Sequence, residues 1–411
     1  MKSDLDALML ANNIDILLVN GPAVHNPAMM YLTGGGHITN AELIKKRGEQ
    51  PVLFCGMMER DEAARTGLPV RLYSDYPLAD RLKEANGDAE VADALRLFKQ
   101  FTDLGITRGR VAIYGVVEAG PLFANLQRVA RMLPDLEFTG FVYDPIFNGA
   151  MMTKEADEIE RIRKVGKITT QVVGRVADYL TGQRVKDEVL VKPDGQPVTV
   201  GDVKSLIDLW LAELGASNPE ATIFAIGRDA GVPHSAGTPT DLMRLGQSIV
   251  FDIFPCEAGG GYFYDFTRTW SLGYATDELL SLYDQVHRVY KDLAAGLKLG
   301  QDFIEVQHRT NELFEAMGHP TSRSQPTASE GYIHSIGHGV GLKIHEMPFS
   351  GLAAGPADKL VPGTVFTLEP GLYYPSRNMG VRIEDTYATH PDGSFEALVE
   401  YPYDLVLPVR K

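Results

Sequence analysis

The chain has 411 residues, 44% of them hydrophobic and 23% charged, with a formal charge of −15. That length is too great for one ordinary core and predicts two domains. The acidic balance argues against nucleic acid or an anionic membrane surface as partner, because the long-range field would repel phosphates.

The first segment, "MKSDLDALMLANNIDILLVNG", is broken by Asp4, Asp6 and Asp15, so it lacks the basic start and apolar run of a signal peptide. No window approaches the roughly 18 apolar residues that span a bilayer. Only Cys55 and Cys256 are present, far apart, which suits a reducing compartment better than a disulfide scaffold. These features predict a soluble cytoplasmic protein.

Apolar runs at 15–20, 51–56, 110–115 and 138–143 alternate with helix-like segments and predict an α/β domain over residues 1–150. The glycine triplet in "YLTGGGHITN" reads as an ordinary turn rather than a phosphate loop. From Thr153 a long amphipathic helix is expected, with Ile159, Ile162, Val165, Val172 and Val176 on one stripe. Further helices are expected at about 199–214 and 277–297. Period-two runs then take over in "QSIVFDIFP", "GTVFTLEPGLYY" and "GVRIEDTYAT". The second domain, 151–411, therefore reads as α+β, with helices packed on a mostly antiparallel sheet.

Each of those runs carries an acid where a buried strand should be apolar: Asp252, Glu369 and Glu384. Burying ionised carboxylates without partners costs several kcal/mol or forces protonation. A shared divalent cation relieves all of them at once. With Asp265 of "DFTRTW" there are four acids, enough to balance two such ions, and a neutral His338 completes the set without adding charge. His338 belongs to "HSIGHGVGLKIHE". Along a straight strand it and His345 would face opposite ways, so reaching one site requires a bend at Gly339 and Gly341. "HEMPF" lacks the second histidine of a zincin motif.

The motifs "DFTRTW", "HSIGHGVGLKIHE", "TLEPGLYY" and "GVRIEDT", in this order and spacing, resemble the pita-bread metallopeptidases, which include Xaa-Pro aminopeptidase, prolidase and methionine aminopeptidase. The resemblance extends over essentially the whole chain, since "DILLVNGPAVHNPAMMYLTG" is similar to the start of the amino-terminal domain of the proline-specific members. It implies that Asp252, Asp265, His338, Glu369 and Glu384 bind two divalent metals, manganese first, with cobalt, zinc or iron as alternatives. It also implies a homodimer. A metal-bridged hydroxide would attack the scissile carbonyl, with Glu369 handling the proton and His345 and His234 orienting the bond and stabilising the oxyanion. His334 and Arg382 take substrate-binding and supporting roles; period two places Arg382 and Glu384 on one strand face. The connection "FPCEAGGGYFY" is about two residues longer than the family's, so either its loop is extended or Asp265 is out of register.

Proline-containing peptides are the implied substrates, because an Xaa-Pro bond has no amide hydrogen for ordinary peptidases to hold. Prolidases generally anchor a dipeptide's carboxylate with an arginine after the histidine motif, and only Lys359 stands there. The expectation leans to Xaa-Pro aminopeptidase, with prolidase as the alternative. A non-peptidase hydrolase or lyase on the same fold, and a non-catalytic binding module, are the rivals from other classes. Cys256, His25, His37, His287, His308, His319 and His390 read as ordinary core or surface residues.

Overall fold

The computed structural model describes residues 4–409. The chain divides into two compact units: one runs to Met151 and includes Gly259–Gly261, and the other comprises Met152–Ala258 and Tyr262 onward.

The first unit is built on β1 (Ile16–Gly21), β2 (Ala41–Lys46), β3 (Val52–Cys55), β4 (Val70–Leu72), β5 (Gly109–Gly115) and β6 (Leu136–Thr139), ordered β4-β3-β2-β1-β5-β6. Central β1 is buried throughout, as its "ILLVNG" sequence requires. Helices α1 (Ala89–Asp103) and α2 (Ala119–Met132) cover the sheet, placing Leu97, Phe101 and Val129 against Ile16, Leu18 and Val111. The expected strand at 138–143 is shorter than its apolar run: it ends at Thr139, and Val142 and Tyr143 are exposed. Asp144 ends the run, because its Oδ1 accepts the backbone N–H groups of Ile146 and Phe147 and starts a helix at Phe147. In the glycine triplet, Gly34 closes the helix Pro27–Thr33 in the left-handed conformation, φ 75°.

The second unit opens with α3 (Ala156–Thr181), which buries Ile162, Val165, Val172 and Val176 and leaves Ile159 half-buried. Helix α4 (Val200–Glu213) follows, with Thr199 capping its first turn through the Asp202 N–H. One sheet contains β7 (Ile223–Ile226), β8 (Ser248–Ile253) and β9 (Phe266–Leu272), paired antiparallel, with Val406–Leu407 added parallel at its edge. Helices α5 (Asp277–Gly296) and α6 (Phe303–Ala316) supply Val286, Tyr290, Phe303 and Phe314 to the main core. Next come β10 (His338–Gly339), β11 (Glu346–Phe349), β12 (Val365–Leu368), β13 (Gly371–Tyr374), β14 (Met379–Arg382) and β15 (Asp385–Thr389). A second antiparallel sheet has the order β11-β10-β12-β15 with Phe395–Ala397 at the edge, while β13 and β14 form a separate hairpin.

This arrangement corrects one sequence expectation. "GTVFTLEPGLYY" and "GVRIEDTYAT" are each two strands, and Glu369 and Glu384 sit in the breaks between them rather than inside a strand. Only Asp252 lies within a strand. Pro370, which cannot donate to a ladder, follows Glu369 at the point where the chain leaves the second sheet for the hairpin.

Candidate active site

Pairing between β8 and β9 sets Asp252 opposite Thr267, so Asp265 at the entry to β9 comes to the same end of the sheet. The long connection before it is thus an extended loop, in which Cys256–Glu257 pairs with Ala216–Ser217, and Asp265 keeps its register. A backbone bridge joins Thr267 to Glu384, and the Thr267 hydroxyl donates to Glu384 Oε2 at 2.6 Å. Glu369 is tied in by its N–H to Ile336 O at 2.9 Å. The elements bearing the acids are therefore stitched together by backbone bonds before any side-chain interaction is considered.

Asp265, His338 and Glu384 each offer a ligand atom, all within 4.8 Å of one another. Glu369 Oε1 is 3.6 Å from His338 Nε2, and Asp265 Oδ2 is 3.5 Å from it. Asp252 is held differently: its Oδ2 receives Arg382 Nη2 at 2.5 Å, whereas its buried Oδ1 has no hydrogen-bond partner among the described residues. His338 Nδ1 faces the Gly339 carbonyl at 3.1 Å, which places the proton there and turns the Nε2 lone pair to the acids.

The electrostatics follow from burial. Desolvation, with Asp252 and Glu369 nearby, holds the Asp265 carboxyl well above its usual range. Desolvation and Asp265 do the same for Glu384. Glu369 is pushed up to about 8 by burial and by Asp252, against the pull of Arg382. Burial drives His338 down to about 3, so its imidazole is neutral. A crowded set of acids, one orphaned carboxylate oxygen and a neutral imidazole aimed at them fit divalent cations, with oxygen-rich ligation and one nitrogen.

The bend between the histidines has a different cause from the one expected. Gly339 pairs with Glu346 and His338 with Phe349, leaving a bulge between β10 and β11. Neither Gly339 nor Gly341 needs a positive φ. They are glycines because a Cβ would sit 2.0 Å from Met347 O at the first and 2.1 Å from Glu346 Oε1 at the second. The Glu346 carboxylate fills the space over Gly341, ion-paired with Lys154, both side chains being almost wholly buried. The bulge brings the rings of His338 and His345 to 4.3 Å between centroids.

These residues line a cavity of about 490 Å³ that also takes in Glu220, Phe254, His234, His334, Ile344, Phe349 and Arg382. His234 and His345 are exposed at its walls. His334 is engaged at both nitrogens: Nδ1 with Ser335 O at 2.7 Å and Nε2 with the Tyr373 hydroxyl at 3.0 Å. Arg382 donates to Asp252, to Tyr373 Oη at 2.7 Å and to Pro233 O at 3.2 Å, which anchors the loop carrying His234. Cys256 is buried and does not line the cavity, and Lys359 is paired with Asp302 at 2.6 Å. Sequence reasoning missed Tyr373, Thr267, Lys154 and Glu220. The only signal for the first two was their place inside the acid-bearing motifs.

The sequence profile of metallopeptidase family M24 matches residues 160–391. The chain belongs to that family. Among curated M24 relatives, "Probable dipeptidase PepE" of Mycobacterium tuberculosis is 30% identical over 256 residues, 62% of this chain and 60% of that protein, so the match spans three fifths of the relative's length. The "Xaa-Pro dipeptidase" of Lactobacillus delbrueckii subsp. lactis is 25% identical across 97% of both chains. The solved dipeptidase of Pyrococcus horikoshii OT3 aligns with a TM-score of 0.74 and 21% identity over 98% of each chain, a likeness of fold. This whole-length likeness bears out the pita-bread architecture expected from the motifs. No helix among the described residues of this M24 chain is long and apolar enough to cross a membrane.

Proposed function

We propose that the chain hydrolyses the bond between an amino-terminal residue and proline, as a metal-dependent Xaa-Pro aminopeptidase. One observation carries the metal-dependent part: three buried acids and the half-buried Glu369 converge on a neutral His338 at the wall of a substrate-sized cavity, with Arg382 the one lysine or arginine paired with any of them among the described residues. Asp252, Asp265, His338, Glu369 and Glu384 would hold two divalent ions, manganese first. Ions bound there would supply Lewis acidity, polarising a carbonyl and making water acidic enough to attack near neutral pH.

The protein's own groups account for the remaining steps. Glu369 is the base and then the acid: it takes the proton from the attacking water and delivers it to the proline nitrogen, which must leave protonated. His345 and His234 at the cavity wall donate to the carbonyl oxygen as negative charge develops. Because both nitrogens of His334 are already committed, it meets the prolyl ring through its ring carbons rather than by a hydrogen bond. Arg382 is a positioning residue, orienting Asp252 and the His234 loop.

The lean towards an aminopeptidase rests on charge. A dipeptide's free carboxylate needs a cation just beyond the scissile bond, yet the one arginine lining the cavity is already shared among Asp252, Tyr373 and Pro233, and Lys359 is paired elsewhere. The names of the relatives favour the dipeptidase reading, in which the cavity histidines hold that carboxylate. Initial rates on Xaa-Pro dipeptides against Xaa-Pro tripeptides, after reconstitution with manganese, cobalt, zinc or iron, decide between them. Faster cleavage of dipeptides overturns the aminopeptidase assignment, and hydrolysis without any metal overturns the mechanism. A cytoplasmic homodimer completes the proposal; a monomer by light scattering would remove that part.

A further inference from the structure

Glu220 is the one acid of the cavity that the chemistry above leaves unused. It is exposed, and among the described residues no ion pair or hydrogen bond engages its carboxylate. It sits three residues before the start of β7, whose Ile223 pairs with Asp252, and its field reaches His345. The next residue, Ala221, has φ +64°, a left-handed conformation that alanine enters only at a cost and that is typically retained where a functional turn is held in place. Asn218 braces this turn, donating from Nδ2 to Asp208 at 2.7 Å and to Thr222 Oγ1 at 3.1 Å. The wall of the same cavity is partly apolar, including Ile223, Phe254, Ile344 and Phe349.

An unpaired carboxylate beside an apolar wall matches a side chain with a long aliphatic stem and a positive head, which can bury the stem while its charge stays in water. Within the Xaa-Pro reading, on which this inference rests, we propose that Glu220 determines specificity for substrates whose amino-terminal residue is lysine or arginine. The partner recognised is thus an ammonium or guanidinium group at the end of that side chain.

The test compares kcat/KM for Xaa-Pro-Ala peptides with lysine, arginine, methionine and norleucine at the first position, in the metal-loaded wild-type enzyme, Glu220→Gln and Glu220→Lys. An exposed pair of this kind is worth a few-fold, so the basic-to-neutral ratio is expected to fall about two- to fivefold in Glu220→Gln, mainly through KM. In wild type the ratio should shrink between about 0.02 and 0.5 M salt. In Glu220→Lys it should fall further. An unchanged ratio in both variants overturns the proposal. A loss equal across all four peptides also overturns it, since the charge held would then be the α-ammonium group that every substrate carries. Cleavage of the methionine and norleucine peptides by wild type tests the Xaa-Pro reading separately, and absence of hydrolysis of all four would overturn both.

Discussion

Glu384 and Asp385 are neighbours in the chain and both are buried, yet their surroundings differ completely. Asp385 receives Arg268 Nη2 at 2.9 Å, the Tyr290 hydroxyl at 2.5 Å and the Tyr403 hydroxyl at 2.8 Å. Lys154 and Glu346 form a second closed pair. Glu384, Asp265 and Glu369 have hydroxyl or backbone donors, from Thr267, Phe266 and Thr367, and neutral imidazoles nearby, but among the described residues no lysine or arginine in ion-pair contact. A buried acid therefore signals little by itself, because networks such as that of Asp385 complete a core. The telling feature is burial without counter-charge, repeated around one point.

The sharpest way to break this contrast is Glu384→Gln. Relative to wild type, kcat/KM should fall about 100-fold or more, since even supporting residues around metals are worth up to that factor. Metal content should drop, while the chelated protein should melt no lower than chelated wild type, a charge that burial and neighbouring acids disfavour having been removed. Full metal content in this variant would sink the assignment of Glu384.

The closed pairs should behave in the opposite way. Lys154→Met and Asp385→Ala each strand a buried charge and should lower unfolding free energy by about 3–5 kcal/mol, read as a shifted denaturant midpoint at constant slope. Metal stoichiometry at saturation should be retained. Lys154→Met should also reduce kcat, because the Glu346 carboxylate packs over Gly341 beneath the His345 loop.

The pH dependence of the chelated protein sharpens the comparison further. Glu369 stands at about 8 in the folded chain against an ordinary value of 4.5. Between those values the folded state binds more protons than the unfolded one, so stability falls as pH rises, by up to about 1.4 kcal/mol per pH unit for each such group. Melting curves of the chelated form should therefore decline from pH 4.5 to 8, and metal-loaded protein should not show that decline. Equal slopes for the two forms would count against a buried metal-binding cluster. The smallest effect is expected from Tyr373→Phe, which removes the hydroxyl between Arg382 and His334: about 1 kcal/mol, seen as a several-fold rise in KM.

Much of this was legible from local pattern. The stripe Ile162, Val165, Val172 and Val176 marked α3, and the acids at apolar positions marked the site, because each feature depends only on neighbours in sequence. Less legible was how the period-two runs break. Two strands separated by one Glu-Pro or Ile-Glu step read as a single strand, since periodicity reports faces and not which sheet accepts the hydrogen bonds. The role of Gly339 and Gly341 was likewise hidden, as close approach by Met347 and Glu346 leaves no mark on either glycine's own neighbours.

What the chain's order of residues established on its own is which acids and imidazole are present and in what succession. Only the tertiary structure decided which acids stay without a basic partner. Arg382 reaches back 130 residues to Asp252, Lys154 reaches forward 192 to Glu346, and Glu220 is left with an open cavity wall before it. Charge pairing over such separations is set by how sheets and loops stack in space, and a one-dimensional pattern carries no coordinate for that.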